Sequence, residues 1–353
     1  MGIKSLSKFL KDNFSNIFQI IHISEYQYKK IAIDTSLYLC HYKALYQERW
    51  LSAFIKLVCL LRENDVHCVF IYDTSFPVEK QQERKERMES RSRTEEKIFK
   101  LEEAIEKYNT SSEIEPILID FQNKRKIKTP MLSSENSINI NAIEYHVNKM
   151  KKQMFSISPE DFLTTKKLFD ILNIPYFNAD MEAETLCADL CIQGKVDAVL
   201  SEDTDVLAYG SPVFLTKINT TDSTCIRIRQ PHLLETLGLN QDEFLDFCIM
   251  CGTDYNKNIY KIGPSKAFKF ITEYKNIENI NEKAGIDVTI LNHIRVRELF
   301  KNYKKSTYKV SYCGQPDFKQ LETFLFNKNI NTPVSSIKRA FTEKLIVIED
   351  DES

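Results

Sequence analysis

Three short apolar runs in this chain each lead into aspartate, and that recurrence limits the fold more than any other feature. They are Ile31-Ala32-Ile33-Asp34, Cys68-Val69-Phe70-Ile71-Tyr72-Asp73, and Ala198-Val199-Leu200 leading into Ser201-Glu202-Asp203-Thr204-Asp205. Runs this short, apolar throughout, read as strands buried on both faces. Helical segments at about 35–47, 51–63 and 183–194 separate them, which predicts βαβ units and a parallel sheet. Parallel strands all point one way, so acids at their ends gather along the carboxyl edge, where open α/β sheets build their sites.

Taken alone, Glu202, Asp203 and Asp205 fit a solvated loop capping the next helix. Their recurrence with Asp34 and Asp73 at equivalent strand ends favours a cluster. Glu182 and Glu184 at a helix start, and Asp254 after a helix, can join it. Seven carboxylates bare in one cleft repel one another, and two divalent cations make them stable together. The set contains neither His nor Cys, so its hard oxygen donors suit Mg²⁺ or Mn²⁺ better than zinc. Such a centre suits phosphodiester hydrolysis.

The remaining segments constrain less. Ile3, Leu6, Phe9 and Leu10 share one face of a short first helix. Residues 79–108 form an almost wholly charged helix, expected to be a solvated face. Residues 109–148, rich in Asn, Ser and Ile and interrupted by Pro116 and Pro130, are expected to be a poorly ordered insertion carrying the basic knot Lys124-Arg125-Lys126-Ile127-Lys128. Ser158-Pro159-Glu160-Asp161 starts a helix. A short strand is expected at 174–177, a hairpin at 213–217 and 225–229, and a helix over 241–251. In Ile259-Tyr260-Lys261-Ile262-Gly263-Pro264-Ser265-Lys266, a turn before a helix presents backbone N–H groups and Lys266, a geometry suited to a DNA phosphate.

The formal net charge is −2, so any nucleic-acid-binding surface must be local. Nine cysteines without framework spacing point to a reducing compartment and free thiols. Cys187/Cys191 and Cys248/Cys251 lie in apolar helical runs and read as buried thiols rather than metal ligands. No apolar run reaches membrane-spanning length, no leader opens the chain, and Leu6 stands where a myristoylation start wants Ser or Thr. The expectation is a soluble intracellular protein.

Several motifs, in this order and spacing, resemble the flap endonucleases and their XPG-type relatives, the structure-specific 5′ nucleases. They are MGIKSL at the start, KIAIDTS around Asp34, VFIYD ending at Asp73, LNIPYFNADMEAE through Glu184, SEDTDVLAYGSP around Asp203 and Asp205, CGTDY at Asp254, and KIGPSKA. The resemblance covers roughly 1–105 and 150–345. It implies an α/β fold with a PIN-like parallel sheet flanked by helices, a helical arch insertion and a C-terminal helix–two-turn–helix DNA-binding module. The expected division is 1–105 and 151–255 for the nuclease domain, 106–150 for a polar arch insertion, 256–345 for the DNA-backbone module and 346–353 for an acidic tail.

By the resemblance, Asp34, Asp73, Glu182 and Glu184 crowd one Mg²⁺ and Asp203, Asp205 and Asp254 serve a second, with Mn²⁺ able to substitute. Lys80 and Arg87 match the Lys and Arg that reach the scissile phosphate. Gly2 is placed near the active site, and Ile262, Gly263, Pro264 and Lys266 belong to the DNA-binding turn, often with a monovalent cation. The implied partner is DNA with a 5′ flap or branch, acted on by a monomer in replication, repair or recombination, in the nucleus or at a cytoplasmic viral replication site.

The chain departs from the family pattern at several places. Cys40 stands where an aromatic usually stacks on the substrate base, and Tyr38 or Tyr42 is the substitute. Lys261 stands where the family usually has Gly, and Ser265 where it has a base. The tail lacks a sliding-clamp-binding box and a basic terminal run, which fits a large-DNA-virus origin. The alternatives are a Holliday-junction- or bubble-cutting relative, a mainly 5′-exonucleolytic one, or a catalytically silent DNA-binding scaffold.

Overall fold

A computed structural model describes residues 2–127 and 138–342. Among these residues seven strands form one mixed sheet: β1 (Gln19–His22), β2 (Lys30–Asp34), β3 (His67–Tyr72), β4 (Tyr176–Asn178), β5 (Ala198–Leu200), β6 (Val213–Asn219) and β7 (Thr224–Arg229), in the order β1-β7-β6-β5-β2-β3-β4. The five strands from β6 to β4 are parallel, as the sequence predicts. The sheet as a whole is not. β7 turns back along β6 as the expected hairpin, and β1, a strand that the sequence pattern does not announce, pairs antiparallel with β7 at the edge. The sequence of β1 alternates poorly and only Ile21 is buried, so its strand character comes from the partner it pairs with.

The chain runs β2, β3, β4 outward on one side of β2 and then returns to place β5 on the other. This reversal opens a crevice at the carboxyl ends of β5 and β2, the usual binding position in open α/β sheets. All residues of β5 and all but the first of β2 are buried, in keeping with their unbroken apolar runs.

The helices are α1 (Leu6–Asn13), α2 (Thr35–Tyr46), α3 (Trp50–Glu63), α4 (Gln81–Ser111), α5 (Pro116–Arg125), α6 (Ile140–Gln153), α7 (Pro159–Ile171), α8 (Ala183–Ile192), α9 (Asp205–Ala208), α10 (Gln230–Leu237), α11 (Gln241–Cys251), α12 (Pro264–Tyr274), α13 (Ile277–Ala284), α14 (His293–Lys301), α15 (Phe318–Asn327) and α16 (Val334–Ala340). Among the described residues they fall into two compact units, one within 2–42, 49–80 and 158–342, the other within 43–48, 81–127 and 138–157.

In the first unit, Leu6, Phe9 and Leu10 of α1 are buried as their spacing predicts, and Phe9 packs on Phe247 of α11 and Phe268 of α12. The resemblance assigns all of 256–345 to a DNA-backbone module. The structure instead returns α15 and α16 to the sheet's flank, against α7 and α3.

The second unit corrects another expectation. Residues 109–148 were expected to be poorly ordered, yet α4 runs to Ser111, and α5 and α6 take up most of the rest of this stretch among the described residues. Pro116, which looked like an interruption, is the first residue of α5, where its missing N–H costs nothing. Asn139 caps α6 by accepting from the Ala142 amide at 3.1 Å. Ile143, Val147 and Met150 then face Ile98, Leu101, Leu118 and Phe121 in a small core of the unit's own. Lys124 and Arg125 end α5 and Lys126 and Ile127 follow it, while Lys128 and Pro130 lie outside the described residues, as does the acidic tail.

Candidate active site

Each strand end fixes its acid by a local hydrogen bond. Asp34, 2% exposed, accepts from the Leu37 amide at 3.0 Å and so caps α2 from inside the sheet. Asp73 accepts from the Ala183 amide at 2.6 Å, which ties the end of β3 to the first turn of α8. That bond puts Glu182, the N-cap residue of α8, and Glu184, in its first turn, beside the strand ends. After β5, the Ser201 hydroxyl accepts from the Asp203 amide at 3.1 Å, and Asp203 Oδ1 accepts from the Asp205 amide at 2.9 Å. Glu202 turns away and accepts from the Lys217 amide at 2.6 Å, a strap between strands.

The acids sense one another. Burial pushes the Asp34 carboxyl well above the usual carboxylate range, with Asp73 and Asp203 adding to the rise. Glu184 is likewise raised well above that range by burial, then by Asp34, Asp203 and Asp73. Asp205 is raised well above it by burial, then by Asp203 and Asp254, and Asp203 is raised chiefly by burial. The structure therefore brings all seven predicted acids into one electrostatic cluster.

Lys80, in the 3₁₀ turn Val78–Lys80, sends its ammonium into this cluster. It pairs with Glu182 Oε1 and lies 3.2 Å from Asp254 Oδ2. Burial works against its charge, but Glu182, Glu184 and Asp254 outweigh burial and hold the ammonium well above the usual lysine range. The resemblance directs Lys80 toward a phosphate; in this structure it neutralises the acids.

Gly2 closes the other side. Its φ is 77°, and a Cβ built there would stand 2.1 Å from Asp203 Oδ1 and 2.9 Å from Asp205 Oδ1. The Ile3 amide donates to Thr204 Oγ1 at 3.0 Å, holding the start of the chain against the acidic turn. A side chain at position 2 would displace the acids, so the glycine is a steric requirement of the site.

The donor set fits hard divalent cations. Every acid offers carboxylate oxygen, Asp205 Oδ1 is buried without a hydrogen-bond partner, and a primary ammonium already sits where positive charge is needed. Among the described residues, no three acidic, His or Cys side chains converge into a ready-made metal cage. Cys187, Cys191, Cys248 and Cys251 are buried free thiols in α8 and α11.

One residue that the sequence motifs do not single out is Tyr255. Its hydroxyl donates to Glu182 Oε2 at 2.6 Å and meets the Tyr209 hydroxyl at 3.0 Å, which in turn accepts from Thr185 at 2.8 Å. Its place directly after Asp254 was the only available signal. The aromatic substitutes fare differently: Tyr38 and Tyr42 are both buried, packed on each other and, through Tyr42, on Phe54. Neither ring is available to stack on a base, because both are buried in this packing.

The turn 259–266 is as expected in outline. Gly263 is the N-cap residue of α12 and Pro264 its first residue, while Ile262 is buried and Lys266 is exposed. Lys261 takes a left-handed conformation with φ 62°. Arg87 lies on α4 in the second unit, paired there with Glu83.

The sequence matches the XPG N-terminal domain over residues 1–94 and the XPG I-region over residues 173–254. It is 34% identical over 360 residues to the probable RAD2-like endonuclease 076L of Invertebrate iridescent virus 3, covering 92% of this chain and 93% of that protein. The chain belongs to the XPG family. Human flap endonuclease 1 is 27% identical over 297 residues, covering 79% of this chain and 68% of that protein. The fold is similar to that of the catalytic core of Rad2 in complex with DNA substrate, with a TM-score of 0.66, 16% identity, and 96% of this chain and 98% of that one covered. The XPG chain is thus a nuclease, a hydrolase of a family that generally depends on divalent metal. Among its described residues no helix is long and apolar enough to cross a membrane.

Proposed function

We propose that this XPG-family chain hydrolyses phosphodiester bonds in DNA carrying a 5′ flap or branch, using two divalent cations held by Asp34, Asp73, Glu182, Glu184, Asp203, Asp205 and Asp254. The observation that carries this reading is the convergence of these acids at adjacent strand ends, where the Leu37, Ala183 and Asp205 amides fix Asp34, Asp73 and Asp203 and the Asp73 bond brings up Glu182 and Glu184 at the start of α8. So many acids with Lys80 as their near counter-charge cost stability, and such a cluster is retained where a cation is to be bound. Mg²⁺, or Mn²⁺ in its place, supplies acidification of a water and neutralisation of charge on the phosphate.

The chain's own residues supply the rest. Asp34, Asp73, Glu182 and Glu184 serve one cation and Asp203, Asp205 and Asp254 the other. Lys80 is within reach of both groups, and when cations take over its charge-neutralising role its ammonium can turn to the non-bridging oxygens of the scissile phosphate. Arg87, on the next helix, is assigned the same task by resemblance. Gly2 lets the start of the chain lie against Asp203 and Asp205 without displacing them. Ile262, Gly263, Pro264 and Lys266 present the start of α12 to the duplex backbone, with a monovalent cation in the turn, and this grip reads no base. The α4–α6 insertion corresponds to the arch through which a single-stranded 5′ end passes.

The test uses a 5′-flapped duplex, a four-way junction and a nicked duplex, each with Mg²⁺ and with EDTA. Mg²⁺-dependent release of the flap is expected. No metal-dependent cleavage of any substrate would refute the nuclease mechanism, and preference for the junction would replace the flap assignment. Lys80→Ala should slow cleavage by about 10²-fold, the scale of one lost electrostatic stabiliser; near-normal rates would return Lys80 to a purely structural role.

A further inference from the structure

At the opposite end of β3 from Asp73, the chain makes an arrangement that nucleic-acid hydrolysis does not use. Residues 303–317, between α14 and α15, run without regular structure past the start of the strands. The Lys30 ammonium donates to the Val310 carbonyl at 2.9 Å and lies over the Tyr312 ring, and Tyr312 packs edge-on against His67. The Gly314 amide donates to the Asn173 carbonyl at 2.8 Å and the Asp317 amide to that of Ile171 at 2.9 Å. This strap is pinned on both sides of Cys313.

Between the pins, Cys313 Sγ lies against Cys68, the second residue of β3. It accepts from the Cys68 amide at 3.4 Å and donates to the Cys68 carbonyl at 3.4 Å. Cys313 Sγ thus stands beside the residue that carries the second thiol. The Cys313 amide donates to His67 Nδ1 at 3.0 Å, and the Arg62 guanidinium is 3.2 Å from the same ring nitrogen. Cys313 is half-buried and reachable from solvent, whereas Cys68 is 1% exposed.

The thiols differ in reactivity as well as access. Cys68 and His67 beside it, aided by Arg62, hold the Cys313 thiol well below the usual range despite its burial. Burial pushes the Cys59 thiol up to about 12 and raises those of Cys187, Cys191, Cys225, Cys248 and Cys251 as well. A half-buried thiol that gives up its proton more readily than its neighbours, beside a fully buried second thiol, is the pattern of an attacking and a resolving cysteine.

We propose that Cys313 and Cys68 are a modification site: a dithiol that a small-molecule disulfide such as oxidised glutathione converts to an intramolecular disulfide, fastening the 303–317 strap to β3. The Cys313 thiolate attacks one glutathione sulfur, forming a mixed disulfide and expelling glutathione thiolate. The Cys68 sulfur, losing its proton to a departing glutathione thiolate, then attacks Cys313 Sγ and releases the second glutathione. Two protein thiols are oxidised and one glutathione disulfide is reduced to two glutathiones. The bond would close a long loop from the unfolded chain's standpoint and lies away from the acids, so stability is its main readout.

The folded full-length chain is treated with oxidised glutathione, blocked with iodoacetamide and digested with trypsin without reductant. The expected product links the peptides 63–80 and 310–319, each of which contains a single cysteine. Dithiothreitol should separate them, and the oxidised protein should melt about 5 °C or more above the reduced one. In Cys68→Ser, glutathione should remain on Cys313 as a stable adduct. In Cys313→Ser no link should form and Cys68 should stay free. A persistent Cys313–glutathione adduct in the unsubstituted protein, or an unreacted Cys313 beside a modified cysteine elsewhere, would overturn the proposal without bearing on the nuclease reading.

Discussion

The Tyr255 hydroxyl donates to Glu182 Oε2 at 2.6 Å while Lys80 holds the opposite oxygen of the same carboxylate. Glu182 is thereby fixed in orientation before any cation arrives, and the Tyr209 and Thr185 hydroxyls continue the chain of bonds behind it. Outer hydrogen bonds of this kind tune a ligand without touching the metal. Tyr255→Phe keeps the ring packing and removes only the donor. It should lower cleavage at limiting Mg²⁺ by about 10-fold or more and shift the Mg²⁺ half-saturation upward, with partial rescue at high Mg²⁺. A fall in rate with no change in Mg²⁺ dependence would assign Tyr255 to packing alone.

Asp205 supports a prediction with two independent readouts. Its carboxylate is buried, repelled by Asp203 and Asp254, and has one oxygen without a hydrogen-bond partner. An acid whose folded pKa is raised costs stability once the pH exceeds its unfolded value, so replacing it should stabilise the metal-free protein. Asp205→Asn should abolish cleavage, leave flap binding in EDTA intact, and raise stability at pH 7 by about 1 kcal/mol or more. Retained turnover would refute the ligand role, and a lowered melting temperature would refute the repulsion argument.

A third prediction concerns α11, α13 and α14. Arg297 spans Asp246, with two hydrogen bonds of 2.6 Å, and Glu278, at 2.5 Å. Hydrogen bonding from Arg297 lowers Glu278 to about 2. A depressed acid contributes stability that is present above its unfolded pKa, near 4.5, and is lost as the pH falls toward about 2. Glu278→Gln should therefore destabilise at pH 7 and cost much less at pH 2. Glu278 is 44% exposed, so the loss at neutral pH should be about 1 kcal/mol or less. Equal losses at both pH values would show that the pair is not electrostatic. Arg297→Ala should cost about 3 kcal/mol, because it strands Asp246, which is nearly fully buried.

How much of the fold and site was legible in the sequence depends on where each signal resides. The strands of the parallel core carried their own evidence, because burial on both faces demands unbroken apolar runs, and the acids at the ends of β2, β3 and β5 were visible beside them. β1 was not visible, since four residues with one buried side chain become a strand only through β7. The helices α5 and α6 were hidden by composition. Asn and Ser raised the polarity of 109–148, while the deciding contacts of Ile143, Val147 and Met150 are made with α4 and α5, distant in sequence. Lys80 and Tyr255 could be located, yet their joint hold on Glu182 is a tertiary fact that no spacing encodes.

The turn before α12 yields the last prediction. Lys261 has φ 62°, a left-handed conformation that a residue with a Cβ adopts at a cost of about 1 kcal/mol. Its side chain is exposed, and its ammonium lies 5.1 Å from the centre of the exposed Tyr260 ring, too solvated a contact to recover that cost. The strain is intelligible if a positive charge beside the α12 amino end serves the DNA backbone. Lys261→Gly should then raise stability by about 0.5 kcal/mol, after allowing for the greater freedom of glycine in the unfolded chain. It should also weaken duplex binding and reduce the slope of log affinity against log salt concentration by about one contact's worth, near 0.9. Stability can be read from urea denaturation and the slope from fluorescence anisotropy across a salt series. An unchanged slope with raised stability would leave Lys261 as strain without a nucleic-acid purpose, and lowered stability would mean that the Tyr260 contact outweighs the backbone.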